Sequence, residues 1–403
     1  MEIVERFIDY CKVQTMSDPY SSTSPSSEKQ WVLAKKLEKE LKDLGLEVKL
    51  SDTCIVYGRL KANTDKKVDT IGLIAHMDTS PDMSDENVNP RIINNYDGSE
   101  IVLNEKLNIK MSPKDFPCLN KDVGSDLIVT DGTTLLGGDD KAGIAVIMDV
   151  LEKLVNNPSI KHGDIAIAFT PDEEVGRGTE NFDVDYFNAD YAYTVDGGDA
   201  CDIEYENFNA ASAVVKIAGL SIHPGSAKGK MLNSILIGME FQSLLPTFDN
   251  PMYTEGYEGF NHLCNINGDC ENTTLEYIIR NHDKDLLEKQ KNDFRNATNF
   301  LNKKYGNVVS LTIKDSYDNM KEYIVEHMDI VDNVKKKMRE LGVEPTSTAI
   351  RGGTDGASLT YKGLPCPNLG NGDRNCHGKF EYVNINEMKF MSKLILEVLK
   401  VED

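Results

Sequence analysis

The sequence has no run of about 18 apolar residues, so no segment reads as a membrane-crossing helix and no membrane partner is expected. It also lacks a basic stretch followed by an apolar one at its start. Met1-Glu2-Ile3-Val4-Glu5 opens the chain, and a secretory leader is not expected. Cysteine is sparse: eight residues in 403, with no Cys-x-x-Cys spacing. That pattern excludes a disulfide framework and points to a reducing, cytoplasmic compartment. Basic charge is short as well. Lys and Arg number 44 against 66 Asp and Glu, a formal charge of −22, so a phosphate backbone would be repelled and a nucleic-acid partner is not expected. Fixed-period repeats and long low-complexity tracts are missing too.

What is present is an ordinary globular composition, 40% hydrophobic and 27% charged, in a chain long enough for two or three domains. After the Ser/Pro-rich stretch at 21–27, Ser27-Glu28-Lys29-Gln30 has the form of a capping box. Ala34, Leu37, Leu41 and Leu44 follow at helical spacing, and Gly45 offers a stop. Residues 46–50, 55–60, 70–75, 165–169 and 191–195 read as strands, and 143–154 as a helix. Strands separated by helices predict an α/β fold, a mixed and mainly parallel sheet with helices on both faces. The middle of the chain reads differently. Strand-like 210–217, helical 232–245, strand-like 275–280, helical 284–302 and strand-like 308–313 predict a separate α+β domain inserted into the first. The expected division is 1–208 and 320–403 for the main domain, with 209–319 inserted.

In open α/β sheets, function collects at the carboxyl ends of strands. Four acidic or histidine-bearing segments fall there: Ile74-Ala75-His76-Met77-Asp78-Thr79, Gly137-Gly138-Asp139-Asp140-Lys141, Thr170-Pro171-Asp172-Glu173-Glu174, and Thr194-Val195-Asp196-Gly197. His377, near the C-terminus, could complete the set. Mixed His, Asp and Glu without thiolates suits zinc or another borderline divalent metal, and a cluster this acidic can hold two ions. Two dications against three carboxylates and a hydroxide leave a nearly neutral site, which can be buried. Adjacent glutamates in an extended loop point in different directions, so one of Glu173 and Glu174 could bind metal while the other moves a proton. Asp78, two residues from His76, could fix the imidazole tautomer. Taken singly, each segment has a plainer reading: Asp139-Asp140 as a helix cap, the glutamates as solvated loop charge, Cys376 beside His377 as packing. Their co-occurrence on strand ends is what favours a site.

These segments resemble the co-catalytic zinc exopeptidases related to carboxypeptidase G2. Further motifs narrow the resemblance to the tripeptide-cleaving aminopeptidases of that family: Thr130-Asp131-Gly132-Thr133-Thr134, His223-Pro224-Gly225-Ser226, Glu255-Gly256-Tyr257-Glu258-Gly259-Phe260 and Ile350-Arg351-Gly352-Gly353-Thr354-Asp355-Gly356. The resemblance implies the zinc exopeptidase fold with the inserted domain as a lid, and two zinc ions. His76 and Asp196 would bind one ion, Glu174 and His377 the other, and Asp139 would bridge them, with Asp140 not a ligand. Glu173 would be the general base, Asp78 the histidine clamp and His223 an oxyanion donor; Arg280 and Arg351 are the two candidates to grip the peptide carboxylate. The expected activity is release of the N-terminal residue from tripeptides, short peptides being the partners. A dipeptidase, a carboxypeptidase or an N-acyl amino-acid deacylase would share the same metal motifs. The lid's edge strand would also allow a homodimer.

Overall fold

The computed structural model of the chain describes residues 1–402. The chain divides into two compact units. One comprises Met1–Tyr205, Glu322–Thr348 and the residues from Thr354 onward; the other comprises Glu206–Lys321 with Ala349–Gly353. The first unit contains strands β1 (Glu47–Leu50), β2 (Val56–Leu60), β3 (Ile71–His76), β4 (Ile165–Thr170), β5 (Tyr191–Gly197) and β6 (Ile203–Glu204). The second contains β7 (Asn209–Ala218), β8 (Phe260–Gly268), β9 (Asn272–Asn281) and β10 (Val309–Tyr317), and β11 (Asn368–Gly370) lies in the first again.

In the first unit a seven-stranded sheet runs β1-β2-β4-β3-β5-β11-β6. Its four central strands are parallel, and the three outer ones are antiparallel to their neighbours. The fold is therefore α/β with a mixed sheet, as the alternation of patterns predicts. β3 and β4 are buried along almost their whole length, which parallel strands covered on both faces require. Helices α1 (Ile3–Cys11), α2 (Gln30–Asp43) and α3 (Gly138–Asn156) belong to this unit. α3 is buried nearly all round, from Ala142 to Leu151, as a central helix must be.

Two features depart from the sequence-based expectation. The capping box at Ser27 does not form. α2 begins at Gln30, whose side-chain amide donates instead to Asp172 at 2.7 Å. A small antiparallel sheet, in the order Asp373–Arg374, Tyr382–Asn384, Leu127–Val129 and Arg91–Ile93, has no counterpart in the periodicity. Its strands of two or three residues are too short to show one.

The second unit is a four-stranded antiparallel sheet, β8-β9-β7-β10, packed on helices α4 (Ser234–Leu244) and α5 (Lys284–Tyr305). Ala213, Val215, Phe241, Leu275, Tyr277 and Phe294 fill its core. The edge strand β8 also escapes the periodicity, because all but its first two residues are partly or fully exposed. Helices α6 (Met328–Glu340), α7 (Asp355–Tyr361) and α8 (Ile385–Leu399) lie in the first unit. All eight cysteines are free. Among the described residues no helix is long and apolar enough to cross a membrane.

Candidate metal centre

Parallel pairing fixes where the site forms. β3 and β4 end side by side, His76 opposite Thr170, and β5 runs parallel on the other side of β3. Their carboxyl ends therefore deliver His76, the Pro171–Gly176 turn with Glu173 and Glu174, and Asp196 to one place. The start of α3 adds Asp139 and Asp140. The hairpin between Asp373–Arg374 and Tyr382–Asn384 adds His377.

Asp139 is central to the group. Its Oδ1 lies 2.7 Å from His76 Nε2, and its Oδ2 lies 3.3 Å from His377 Nε2. Asp196 Oδ1 is 3.5 Å from His76 Nε2, and Glu174 Oε2 is 3.0 Å from His377 Nε2. Ligand atoms of His76, Asp139 and Glu174 lie within 4.8 Å of one another. Asp140 also presents an oxygen within 4.8 Å of ligand atoms of His76 and Asp196, but three donors, the N–H groups of His76 and Gly143 and the Asn371 side chain, already bind its oxygens. The structure thus brings His76, Asp139, Glu174, Asp196 and His377 together, with Glu173 and Asp78 beside them.

The donor set fits a cation. His76 Nδ1 donates at 3.0 Å to the main-chain carbonyl of Asp78, an oxygen that can only accept. In the neutral ring Nε2 then carries a lone pair, and it faces the Asp139 carboxylate. Two lone pairs at 2.7 Å need a proton or a metal between them. Glu174 Oε1 is buried without a hydrogen-bond partner, a position a cation would satisfy.

The electrostatics agree. Burial holds the Glu173 carboxyl well above its usual range; the His76 charge offsets part of this, and Asp196 and Asp355 add to it. Burial and then the Asp139 charge push Glu174 up to about 8. Hydrogen bonds to Asp139 and Glu174 raise His377 to about 11. Asp139 goes the other way: burial would raise it, but its hydrogen bonds to His377 and His76 hold it well below the carboxylate range. Carboxyls crowded like this resist ionisation until positive charge arrives.

Asp78 also acts on the glutamate pair. Its two carboxylate oxygens accept the N–H groups of Glu173, at 3.0 Å, and Glu174, at 3.2 Å. Asp172 ties the same turn to residues 26–30, accepting from the Ser26 N–H and hydroxyl and from Gln30. Asp355 holds the far side: Thr170 Oγ1, at the end of β4, donates to it at 2.8 Å, and a Cβ at Gly178 would collide with its carboxylate. The motif Gly352-Gly353-Thr354-Asp355 was the available signal for that residue, although nothing in its spacing names a role.

The three remaining candidates lie in the second unit. His223 is exposed on a turn, its Nδ1 accepting the Gly225 N–H at 3.2 Å. The Arg280 guanidinium donates to the Ala211 and Ile279 carbonyls and lies over the Tyr317 ring. Arg351 donates to the carbonyls of Thr254, Gly256 and Glu258, holding that loop, and packs over Phe208 and Phe260.

Comparison with known proteins places this geometry. Peptidase T of Caldanaerobacter subterraneus subsp. tengcongensis is 53% identical over 402 residues, spanning 99% of this chain and 98% of the relative. Two solved structures share the fold. An aminopeptidase PepT from Bacillus cereus has a TM-score of 0.78 at 23% identity, covering 98% of this chain and 97% of that one. A tripeptidase from Staphylococcus aureus has a TM-score of 0.78 at 22% identity, covering 99% and 97%. The model of peptidase family M20/M25/M40 matches residues 132–401. With candidate metal ligands gathered beside its strand ends, the chain is a peptidase that belongs to the M20/M25/M40 family.

Proposed function

We propose that this peptidase is a dizinc aminopeptidase that releases the N-terminal residue of tripeptides. The observation carrying the reading is the Asp139 carboxylate set between two imidazoles, with an acidic partner beside each and a second glutamate held next to them. His76 and Asp196 would hold one ion and Glu174 and His377 the other, with Asp139 shared. When bound, the ions supply Lewis acidity that polarises the scissile carbonyl and makes water a better nucleophile at neutral pH. The full-length likeness to a peptidase T, and the fold shared with a tripeptidase, support the substrate class.

The chain's own groups handle the protons. Glu173 takes one from the attacking water at its carboxylate as the C–O bond forms. It then delivers that proton to the amide nitrogen as the C–N bond breaks, so that the products are a free amino acid and a dipeptide. Asp78 keeps this glutamate in reach by fixing its main-chain N–H. Because His223 Nδ1 accepts the Gly225 N–H, the neutral ring carries its proton on Nε2 and can donate it to an oxyanion. Arg280 and Arg351 are the cationic candidates for the substrate carboxylate, although main-chain carbonyls already occupy much of Arg351.

The test is turnover of matched di-, tri- and tetrapeptides, free and N-acetylated, with and without chelator and added zinc. The expected result is zinc-dependent cleavage of the free tripeptide alone. Preferential cleavage of the acetylated form would make the chain a deacylase instead. Glu173→Gln should keep both ions by elemental analysis and lose at least about 1000-fold in kcat, within the range general bases contribute.

A further inference from the structure

His377 and Asp139 reach the site from segments about 240 positions apart in sequence, and one buried side chain joins them. Glu381 follows His377 by four residues and is 1% exposed. Its Oε2 accepts the N–H groups of Leu136, at 2.7 Å, and Gly137, at 2.9 Å, while its Oε1 accepts the N–H of Asp139 at 3.1 Å. These donors belong to the turn that enters α3, and the third is on Asp139 itself. Gly137 has φ +81°, and a Cβ at Gly138 would lie 2.7 Å from Val383 Cγ2 and 3.2 Å from Glu381 Oε1. The turn is thus bare main chain pressed onto a carboxylate. No group of the mechanism above uses Glu381.

We propose that Glu381 is a positioning residue that sets Asp139 and His377 in one register, so that both face the ion they share. The inference rests on the dizinc reading. A buried carboxylate beside other acids is costly unless its oxygens are fully used, and here three main-chain donors use both. The geometry also explains why an acid stands there. Glutamine presents one acceptor oxygen, so its NH2 would face either the Asp139 donor or the Leu136–Gly137 pair. The turn would then have to move, and Asp139 with it.

The test compares the wild-type enzyme with Glu381→Gln and Glu381→Asp. Zinc affinity is measured against a chromogenic chelator, with kcat and KM for a tripeptide and the Tm of each metal-free protein. Glu381→Gln should fold, weaken zinc binding about 10- to 100-fold, as the loss of groups that orient metal ligands does, and lower kcat more than it changes KM. Glu381→Asp keeps both oxygens on a shorter arm and should fall between. A purely structural role would lower Tm and leave the zinc affinity of the folded protein unchanged; that result overturns the inference. So does a glutamine variant with wild-type affinity and kcat, or the failure of both variants to fold. If the wild-type enzyme itself binds no zinc, the dizinc reading fails and takes this inference with it; wild-type binding with an unaffected variant sinks the inference alone.

Discussion

Several residues at this centre act by holding backbone. Asp78 is fully buried and takes the N–H groups of both glutamates. Asp78→Ala leaves those donors unpaired and frees the turn. A displacement of about 1 Å at a catalytic group can cost about 100-fold, so kcat should fall by roughly that factor with KM within about threefold in steady-state assays. Asp172 sits at φ +60° and accepts from Ser26 and Gln30. Asp172→Ala strands buried donors and replaces a residue that tolerates left-handed backbone with one that tolerates it less, a loss of about 3–5 kcal/mol. Asp172→Asn keeps an acceptor and tolerates the backbone, so its urea midpoint should drop about half as far. The metal candidates stand out in the sequence because their types and strand-end positions announce chemistry. Asp172, Asp355 and Glu381 do not, because a carboxylate that serves donors distant in sequence leaves no spacing behind.

At the scale of elements, α3 must lie against β5 for its first turn to reach the strand ends. Gly143 makes that possible: a Cβ there would collide with the Val195 carbonyl and the Asp140 carboxylate. Gly143→Ala should therefore push the helix off the sheet, lower stability by at least about 3 kcal/mol through overpacking against rigid main chain, and reduce metal content in whatever protein remains soluble. Gly45 gives the comparison. It has φ +86° and open space around its Cβ position, so Gly45→Ala should cost only the left-handed backbone, about 1–2 kcal/mol, with metal content unchanged. The central strands were readable because burial on both faces makes them continuous apolar runs. β8 and the small sheet bearing the His377 hairpin were not. An exposed edge strand and strands of two or three residues have too little core to pattern them.

Across the whole molecule, an excess of acid meets a site that gathers acids. In the metal-free protein Glu174 and Asp196 are raised to about 8 and about 6, chiefly by burial, and His377 to about 11 by its hydrogen bonds to Asp139 and Glu174. Each folded-state pKa lies above its unfolded value, so the folded protein binds more protons than the unfolded one between about pH 4.5 and 8. Stability contributed by these groups is present below their unfolded pKa values and is lost as pH rises through the folded ones. The metal-free protein should therefore show a Tm that falls from pH 5 to pH 8. Added zinc, which binds the deprotonated groups, should flatten or reverse that slope. A chelator titration followed by differential scanning calorimetry at both pH values checks this.

The sequence by itself determined the α/β class and which types of ligand gather at strand ends, since apolar periodicity and residue chemistry are local properties. It also marked the middle of the chain as a differently patterned stretch. Only the tertiary structure decided that Asp139 stands between two histidines, that Asp78 grips both glutamates, and that Glu381 ties two remote segments together. Those relations depend on strand order and on the close approach of main chain, which bring together residues that chain order keeps far apart.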